Sequence, residues 1–343
     1  MIDLRSDTIT KPTEAMRKAA YEAEVGDDVY GEDPSVKKLE ETAAALLGKD
    51  DALFVTSGTQ GNQIAVLTHC RPSNEILLEE NSHIFYYESG AVAALAGVQT
   101  RTIAGNRGAI NPLDLEAYIR ADDQHFPETG LICLENTHNR AGGAVIPVEN
   151  MAAIYEIAKR HQIPVHVDGA RLFNAAAATN RPLTDFTEQC DTVQVCLSKG
   201  LGAPVGSILA GPKDFIANAR KWRKRLGGGL RQVGIIAAPA YIALTEMRNR
   251  LTEDHNHAKI FAEGMGNITG LKVVNEVETN IVVVDVSGLN TTSDEFVDQL
   301  RQVGVQAVTF GRTLVRFTTH FDVSKDDILK ALSGINLVVS SFK

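Results

Sequence analysis

The stretch Thr192–Ser207, TVQVCLSKGLGAPVGS, carries an apolar, β-prone run that stops abruptly at Ser198, Lys199 and Gly200. Lysine is seldom fully buried unless something pairs with it. An amine at the end of an interior strand, followed by glycines, therefore has two readings. Either it meets solvent there, or it forms a covalent bond to a carbonyl cofactor. The pattern around the stretch bears on the choice. Short apolar runs at Ala52–Val55, Glu75–Leu78, Thr100–Ile103, Gly130–Glu135, Pro164–Val167, Thr192–Leu197 and Gly206–Ala210 read as strands, and amphipathic stretches such as Glu149–His161 lie between them. Strand–helix alternation predicts an α/β fold with a mainly parallel central sheet.

The chain has 343 residues, enough for two domains. Residues 1–15 read as a polar N-terminal arm and 16–247 as a large domain. Helices are predicted from Thr13, a candidate N-cap, and over Pro34–Leu47, closing at Gly48. Past Arg248 the pattern changes to a helix at Leu251–Met265, strands at Val273–Val277 and Asn280–Asp285, a helix at Ser293–Val303, a strand at Thr313–Thr318 and a helix at Lys325–Leu337. That predicts a smaller C-terminal α+β domain over 248–343. The net charge of −9 argues against a nucleic-acid or membrane-surface partner. No apolar run approaches the roughly 18 residues of a membrane span, and MIDLRSDTIT lacks a signal-peptide pattern. A cytoplasmic protein is the expectation. The basic stretch Ala219–Arg225 reads as a solvated helix face or an anion site. Cys70, Cys133, Cys190 and Cys196 show no CxxC spacing and read as reduced thiols. His166 and Asp168 are too few for a metal site, and none is expected.

Ligands of parallel sheets gather beyond the carboxyl ends of the strands. After Ala52–Val55 comes Thr56–Asn62, TSGTQGN, small hydroxyl and glycine residues opening a helix. This is either an ordinary cap or a phosphate cup, since free N–H groups and the helix dipole favour an anion. After Pro164–Val167 comes Asp168, a helix cap or the partner of a protonated pyridine nitrogen. His83 is a loop histidine or a ring that stacks on a cofactor. Asp168 and Lys199 are 31 residues apart (199 − 168), the span of one strand–helix–strand crossover. Taken together, the cup, the stacking ring, the acid and the lysine are the set that pyridoxal phosphate needs, and that favours a covalent role for Lys199. Arg316, in a predicted strand, requires an anionic partner. Either a substrate carboxylate or a structural ion pair provides it.

The motifs Arg5–Thr10 (RSDTIT), Ser57–Asn62 (SGTQGN), Leu134–Asn139 (LENTHN), His166–Arg171 (HVDGAR), Leu197–Gly202 (LSKGLG) and Gly227–Gln232 (GGGLRQ) together resemble those of the L-threonine aldolases, over nearly the whole chain. The resemblance implies a fold-type-I, PLP-dependent transferase-like fold. It also implies a homotetramer that cleaves β-hydroxy-α-amino acids, such as L-threonine or L-allo-threonine, to glycine and an aldehyde. It makes Lys199 the cofactor lysine, Asp168 the partner of the ring nitrogen, Gly58 and Thr59 phosphate ligands and His83 the stacking ring. Ser6, Arg171 and Arg316 become holders of the substrate carboxylate, with Arg171 also beside the cofactor. Tyr87 falls among substrate-binding residues and His125 near the substrate hydroxyl. Tyr30, Lys224 and Arg231 become residues that enter from a neighbouring subunit. Other fold-type-I activities share these parts: β-eliminating lyase, aminotransferase or a serine hydroxymethyltransferase-like enzyme. A cofactor-fold protein without chemistry is a rival from another class, which the joint presence of Lys199, Asp168 and Arg316 opposes.

Overall fold

The structure, a computed structural model, describes residues 1–342. Its centre is a seven-stranded sheet of β1 (Asp51–Val55), β2 (Glu75–Glu79), β3 (Gln99–Ile103), β4 (Thr129–Glu135), β5 (Val165–Asp168), β6 (Thr192–Cys196) and β7 (Ser207–Gly211). Their spatial order is β1-β7-β6-β5-β4-β2-β3. Strand β7 runs antiparallel to both its neighbours and all other pairs are parallel. The parallel strands other than the edge strand β3 are buried on both faces, which accounts for their largely apolar runs. All therefore deliver their carboxyl ends to one edge, and register places Glu135, Asp168 and Gln194 side by side there.

The helices cover the faces for reasons visible in their termini. Helix α1 (Glu14–Tyr21) is capped by Thr13, whose side chain accepts from the Met16 amide. Helix α2 (Pro34–Leu47) has Asp33 as its cap, Pro34 in its first turn, and ends at Gly48 with φ +59°. Leu39 and Leu47 on its inner face are fully buried, and truncating either to alanine costs about 2–5 kcal/mol. Helix α3 (Gly58–His69) lies against β6 so closely that a Cβ on Gly58 would stand 2.8 Å from Cys196 Sγ, and one on Gly61 2.7 Å from Gln194 Cγ. Helices α4 (Val148–Arg160), α5 (Leu172–Thr179), α6 (Lys213–Arg225) and α7 (Gly234–Thr245) complete the layers. Sequence reading did not anticipate α7, because Pro239 inside it reads as a breaker. Burial of Ala237, Ala240, Ala243 and Leu244 holds it in place.

A second core lies under a four-stranded antiparallel sheet of β8 (Lys272–Val273), β9 (Ile281–Asp285), β10 (Val308–Thr309) and β11 (Leu314–Thr318), packed by α8 (Leu251–Gly266), α9 (Ser293–Gln302) and α10 (Lys325–Ser341). The N-terminal arm joins this core. Ile2–Asp3 pairs in parallel with Val305–Gln306, and Leu4 is fully buried beside Phe317 and Val284. The predicted strand Val273–Val277 is cut short at Val273. From there the Asn275 side chain replaces the ladder, donating to Gly142 O and Ile281 O and accepting from the Val283 amide. Asn275→Ala leaves these half-buried backbone groups unpaired, and a loss of about 1–3 kcal/mol of stability is expected. Chemical denaturation measures it, and a change inside error would refute the role.

Candidate active site

At the common strand edge, Ser57 caps α3, its hydroxyl accepting from the Gln60 amide at 3.1 Å. The first-turn N–H groups of Gly58 and Thr59 have no carbonyl of the helix before them, and both residues line a cavity of about 200 Å³, where such free donors suit an anion. Asp168, at the end of β5, lines the same cavity. Its Oδ2 accepts from Asn62 Nδ2 at 2.8 Å and its Oδ1 from the Ala170 amide at 3.1 Å. Lys199 follows β6. Its carbonyl is pinned by Thr10 Oγ1 at 3.0 Å and the Gly202 amide at 2.8 Å, while the residue lines this cavity and the adjoining one.

His83 also lines both cavities. Its amide donates to Glu135 Oε2 at 2.6 Å, and its Nδ1 meets Glu88 Oε1 at 3.0 Å. Burial disfavours its cation, but the bond to Glu88 and the charge of Asp168 outweigh burial and nearby Lys199 and raise its pKa above the usual imidazole value. The other Glu135 oxygen takes the Asn139 amide at 2.8 Å. One buried carboxylate thus fixes both the histidine loop and the loop that meets Arg316.

The adjoining cavity, about 310 Å³, is lined by Ser6, Tyr87, Phe310 and Arg316 among others, and shares His83, Asn139, Arg171 and Lys199 with the first. Arg316 donates to Asn139 Oδ1 at 2.9 Å and to Arg5 O at 3.2 Å. No carboxylate pairs with it among the described residues, and its buried Nε has no partner there. Burial first, then the cation of Arg171, pulls its pKa down to about 10, with Asp7 opposing. A guanidinium in this state is an anion receptor, so the structural ion pair considered from sequence is not made. Arg171 differs. Its Nε and Nη2 are held bidentately by Asp7 at 2.7 and 2.6 Å. Ser6 caps the turn that delivers Asp7, accepting from the Thr8 amide.

These donors fit pyridoxal phosphate: an anion cradle, a strand-end carboxylate, an amine and a histidine ring around one cavity, with an unpaired guanidinium next door. A larger cavity of about 600 Å³ at the base of the arm, between Met1–Arg5 and His320–Asp327, shares no residue with these two.

A family model described as beta-eliminating lyase matches residues 3–288. The low-specificity L-threonine aldolase 1 of Arabidopsis thaliana is 44% identical, over 97% of this chain and 94% of its own. The low specificity L-threonine aldolase of Escherichia coli K12 is 42% identical, over 96% of each. A solved threonine aldolase of Leishmania major superposes with a TM-score of 0.85 over 99% of this chain and 100% of its own, at 19% identity. The chain belongs to the L-threonine aldolase family.

Of the residues that the aldolase motifs suggested, the cavities bring together Gly58, Thr59, His83, Asp168, Arg171, Lys199, Ser6, Tyr87 and Arg316. Four stand apart in this chain. His125 is exposed, with its Nδ1 on Asp123 at 2.6 Å. Tyr30 is 77% exposed. Lys224 is exposed on α6, and Arg231 pairs with Asp27 at 3.2 Å. None lines either cavity. Sequence reasoning missed Asp7, Asn62, Glu88, Glu135 and Asn139. All but Glu88 lie inside the motifs quoted above, but a carboxylate or amide whose partner comes from another strand leaves no local signal. His166, weighed as a metal ligand, has both ring nitrogens in hydrogen bonds, to Thr192 and Asn62. In the basic stretch, Arg220 pairs with Glu40 and Arg223 with Asp28, each at 2.6 Å, so two of its charges are neutralised internally. Cys133, Cys190 and Cys196 are buried, Cys70 is half-buried, and all four are free thiols.

Burial raises the Asp7 carboxyl, but the charge and hydrogen bonds of Arg171 outweigh it and hold Asp7 well below the usual carboxylate range. A depressed folded value contributes stability that is present above the unfolded value of about 4 and is lost as pH falls toward the folded one. Asp7→Asn is expected to lose roughly 3–5 kcal/mol at neutral pH, because it strands the buried Arg171 charge. Its further loss below about pH 4 is expected to be smaller than that of the parent protein. Denaturation curves at both pH values test this, and parallel acid losses would refute it.

Proposed function

We propose that this chain is a pyridoxal-phosphate-dependent aldehyde-lyase that cleaves L-threonine and L-allo-threonine to glycine and acetaldehyde. The observation that carries the reading is the acid-free guanidinium of Arg316, facing a cavity that shares Lys199 with the Asp168 pocket. The relatives' names point the same way.

Gly58 and Thr59 would hold the cofactor phosphate, Asp168 its ring nitrogen, His83 its ring face and Lys199 its aldehyde. The cofactor, when bound, supplies an electron sink for charge developing at the substrate Cα. Arg316 binds the substrate carboxylate, and the remaining Nη1 of Arg171 and the Ser6 hydroxyl flank it. This grip selects which Cα bond is broken, because orientation decides the matter. Removing the β-hydroxyl proton requires a base. His83 suits that task poorly, since its Nδ1 is tied to Glu88 and its environment favours the protonated ring. A water, or His125 brought in by another copy, fits better.

The same reading makes the protein a homotetramer whose Tyr30, His125, Lys224 and Arg231 complete a neighbouring site. Their exposure outside both cavities supports this. It places the enzyme in the cytoplasm, in threonine breakdown and glycine formation. No helix among the described residues is long and apolar enough to cross a membrane, which is compatible with that placement.

Purified protein with added pyridoxal phosphate is expected to release acetaldehyde and glycine from both threonine diastereomers, without a keto acid or a folate requirement. Coupled NADH oxidation reads the aldehyde. A keto-acid product instead would replace the aldolase with an aminotransferase or eliminating lyase. Lys199→Ala should abolish turnover, and substantial residual activity would remove the lysine from its role. Arg316→Ala should lower kcat/KM for threonine by roughly 30- to 150-fold, as loss of a charged bond of about 2–3 kcal/mol implies. An unchanged kcat/KM would move the carboxylate site elsewhere.

A further inference from the structure

Asn62 lies on the inner face of α3, 1% exposed, and its amide meets three groups. Nδ2 donates to Asp168 Oδ2 and to Glu88 Oε1, each at 2.8 Å, and Oδ1 faces His166 Nε2 at 3.1 Å. The orientation is dictated: turned over, the amide oxygen would confront two carboxylate oxygens. Oδ1 must therefore accept, and His166 Nε2 must carry the hydrogen. Burial first, then the neighbouring His69, holds the His166 pKa down to about 3, so the ring is neutral and its Nδ1 is an acceptor. That nitrogen meets Thr192 Oγ1 at 3.0 Å, so the threonine hydroxyl donates to it. The same hydroxyl accepts from His69 Nε2 at 2.9 Å. One file of donors, His69, Thr192, His166, Asn62, runs between α3 and the sheet face beneath it and ends on two carboxylates.

Those carboxylates come from different elements, and only Asp168 lines the cavity. Asp168 ends β5, and Glu88 is held by Asn62, by Gln63 Nε2 at 2.5 Å and by His83 Nδ1 at 3.0 Å. Ligand atoms of His83, Glu88 and Asp168 lie within 4.8 Å of one another. Two carboxylates this close repel when both are ionised, and a donor shared between them offsets the repulsion.

We propose that Asn62 is a positioning residue of this site. Its two amide hydrogens set the Asp168 carboxylate toward the ring nitrogen of bound pyridoxal phosphate and the Glu88 carboxylate toward His83, and the file from His69 fixes the amide's direction. The proposal rests on the reading that Asp168 meets the cofactor nitrogen.

Asn62→Asp preserves shape and the oxygen toward His166 but removes both donors. Apoenzyme of the parent and of this variant would be titrated with pyridoxal phosphate and with its 1-deaza analogue, in which a CH replaces the ring nitrogen. Equilibrium dialysis gives the dissociation constants. A merely structural Asn62 would weaken both ligands alike. The parent is expected to prefer pyridoxal phosphate, and the variant to lose about tenfold of that preference, the scale of one displaced charged partner. If circular dichroism shows that Asn62→Asp does not fold, Asn62→Ser, uncharged and with one donor, is read by the same ratio, with loss of preference again expected. A folded variant that keeps the parent's full preference overturns the proposal and leaves the Asp168 reading intact. A parent without any preference overturns both.

Discussion

The buried bidentate pair of Asp7 and Arg171 is the constraint on which the rest of the site depends. The carboxylate arrives on the N-terminal arm and the guanidinium three residues after the end of β5, and Asn280 from the small-sheet region donates to the same carboxylate at 3.2 Å. Three segments far apart in sequence are thereby locked at one point. An unpaired buried ion is costly, so neither partner can leave without the other. The arm is docked for an electrostatic reason as well as through Leu4.

That pairing also decides the charge of the second cavity. With Asp7 committed to Arg171, no acid remains for Arg316, whose neighbours are an amide oxygen, a backbone carbonyl and the face of Phe310, 5.2 Å from its guanidinium carbon. Burial and the adjacent cation weaken its hold on the proton. In the function proposed above, this cation without a carboxylate partner is the group that receives the substrate carboxylate.

Carboxylates organise the first cavity in a complementary way. Glu135 takes two backbone amides from different loops, and Glu88 takes three side chains. Glu135 ends a strand of the parallel sheet, and its two bonds tie the flanking loops to that strand end, while the Glu88 bonds tie its loop to the first turns of α3. The antiparallel strand β7 does not disturb this, since it is inserted between β1 and β6 without reversing either.

The sequence by itself determined the mainly parallel α/β sheet and singled out Lys199, Asp168, Gly58 and His83, which line one cavity. Apolar period and glycine placement are local properties, and a strand end in such a sheet has only one edge to face. It also made Arg316 a guanidinium in need of an anion. Only the tertiary structure decided what that anion could be, because the answer depended on Asp7 choosing Arg171 across 164 residues. The shortened strand at Val273 and the proline-bearing helix Gly234–Thr245 were likewise decided there, by the Asn275 side chain and by core packing. The Asn62 amide is the same kind of case. Its type is written in the chain, but its direction is fixed by a histidine, a threonine and two carboxylates contributed by other elements.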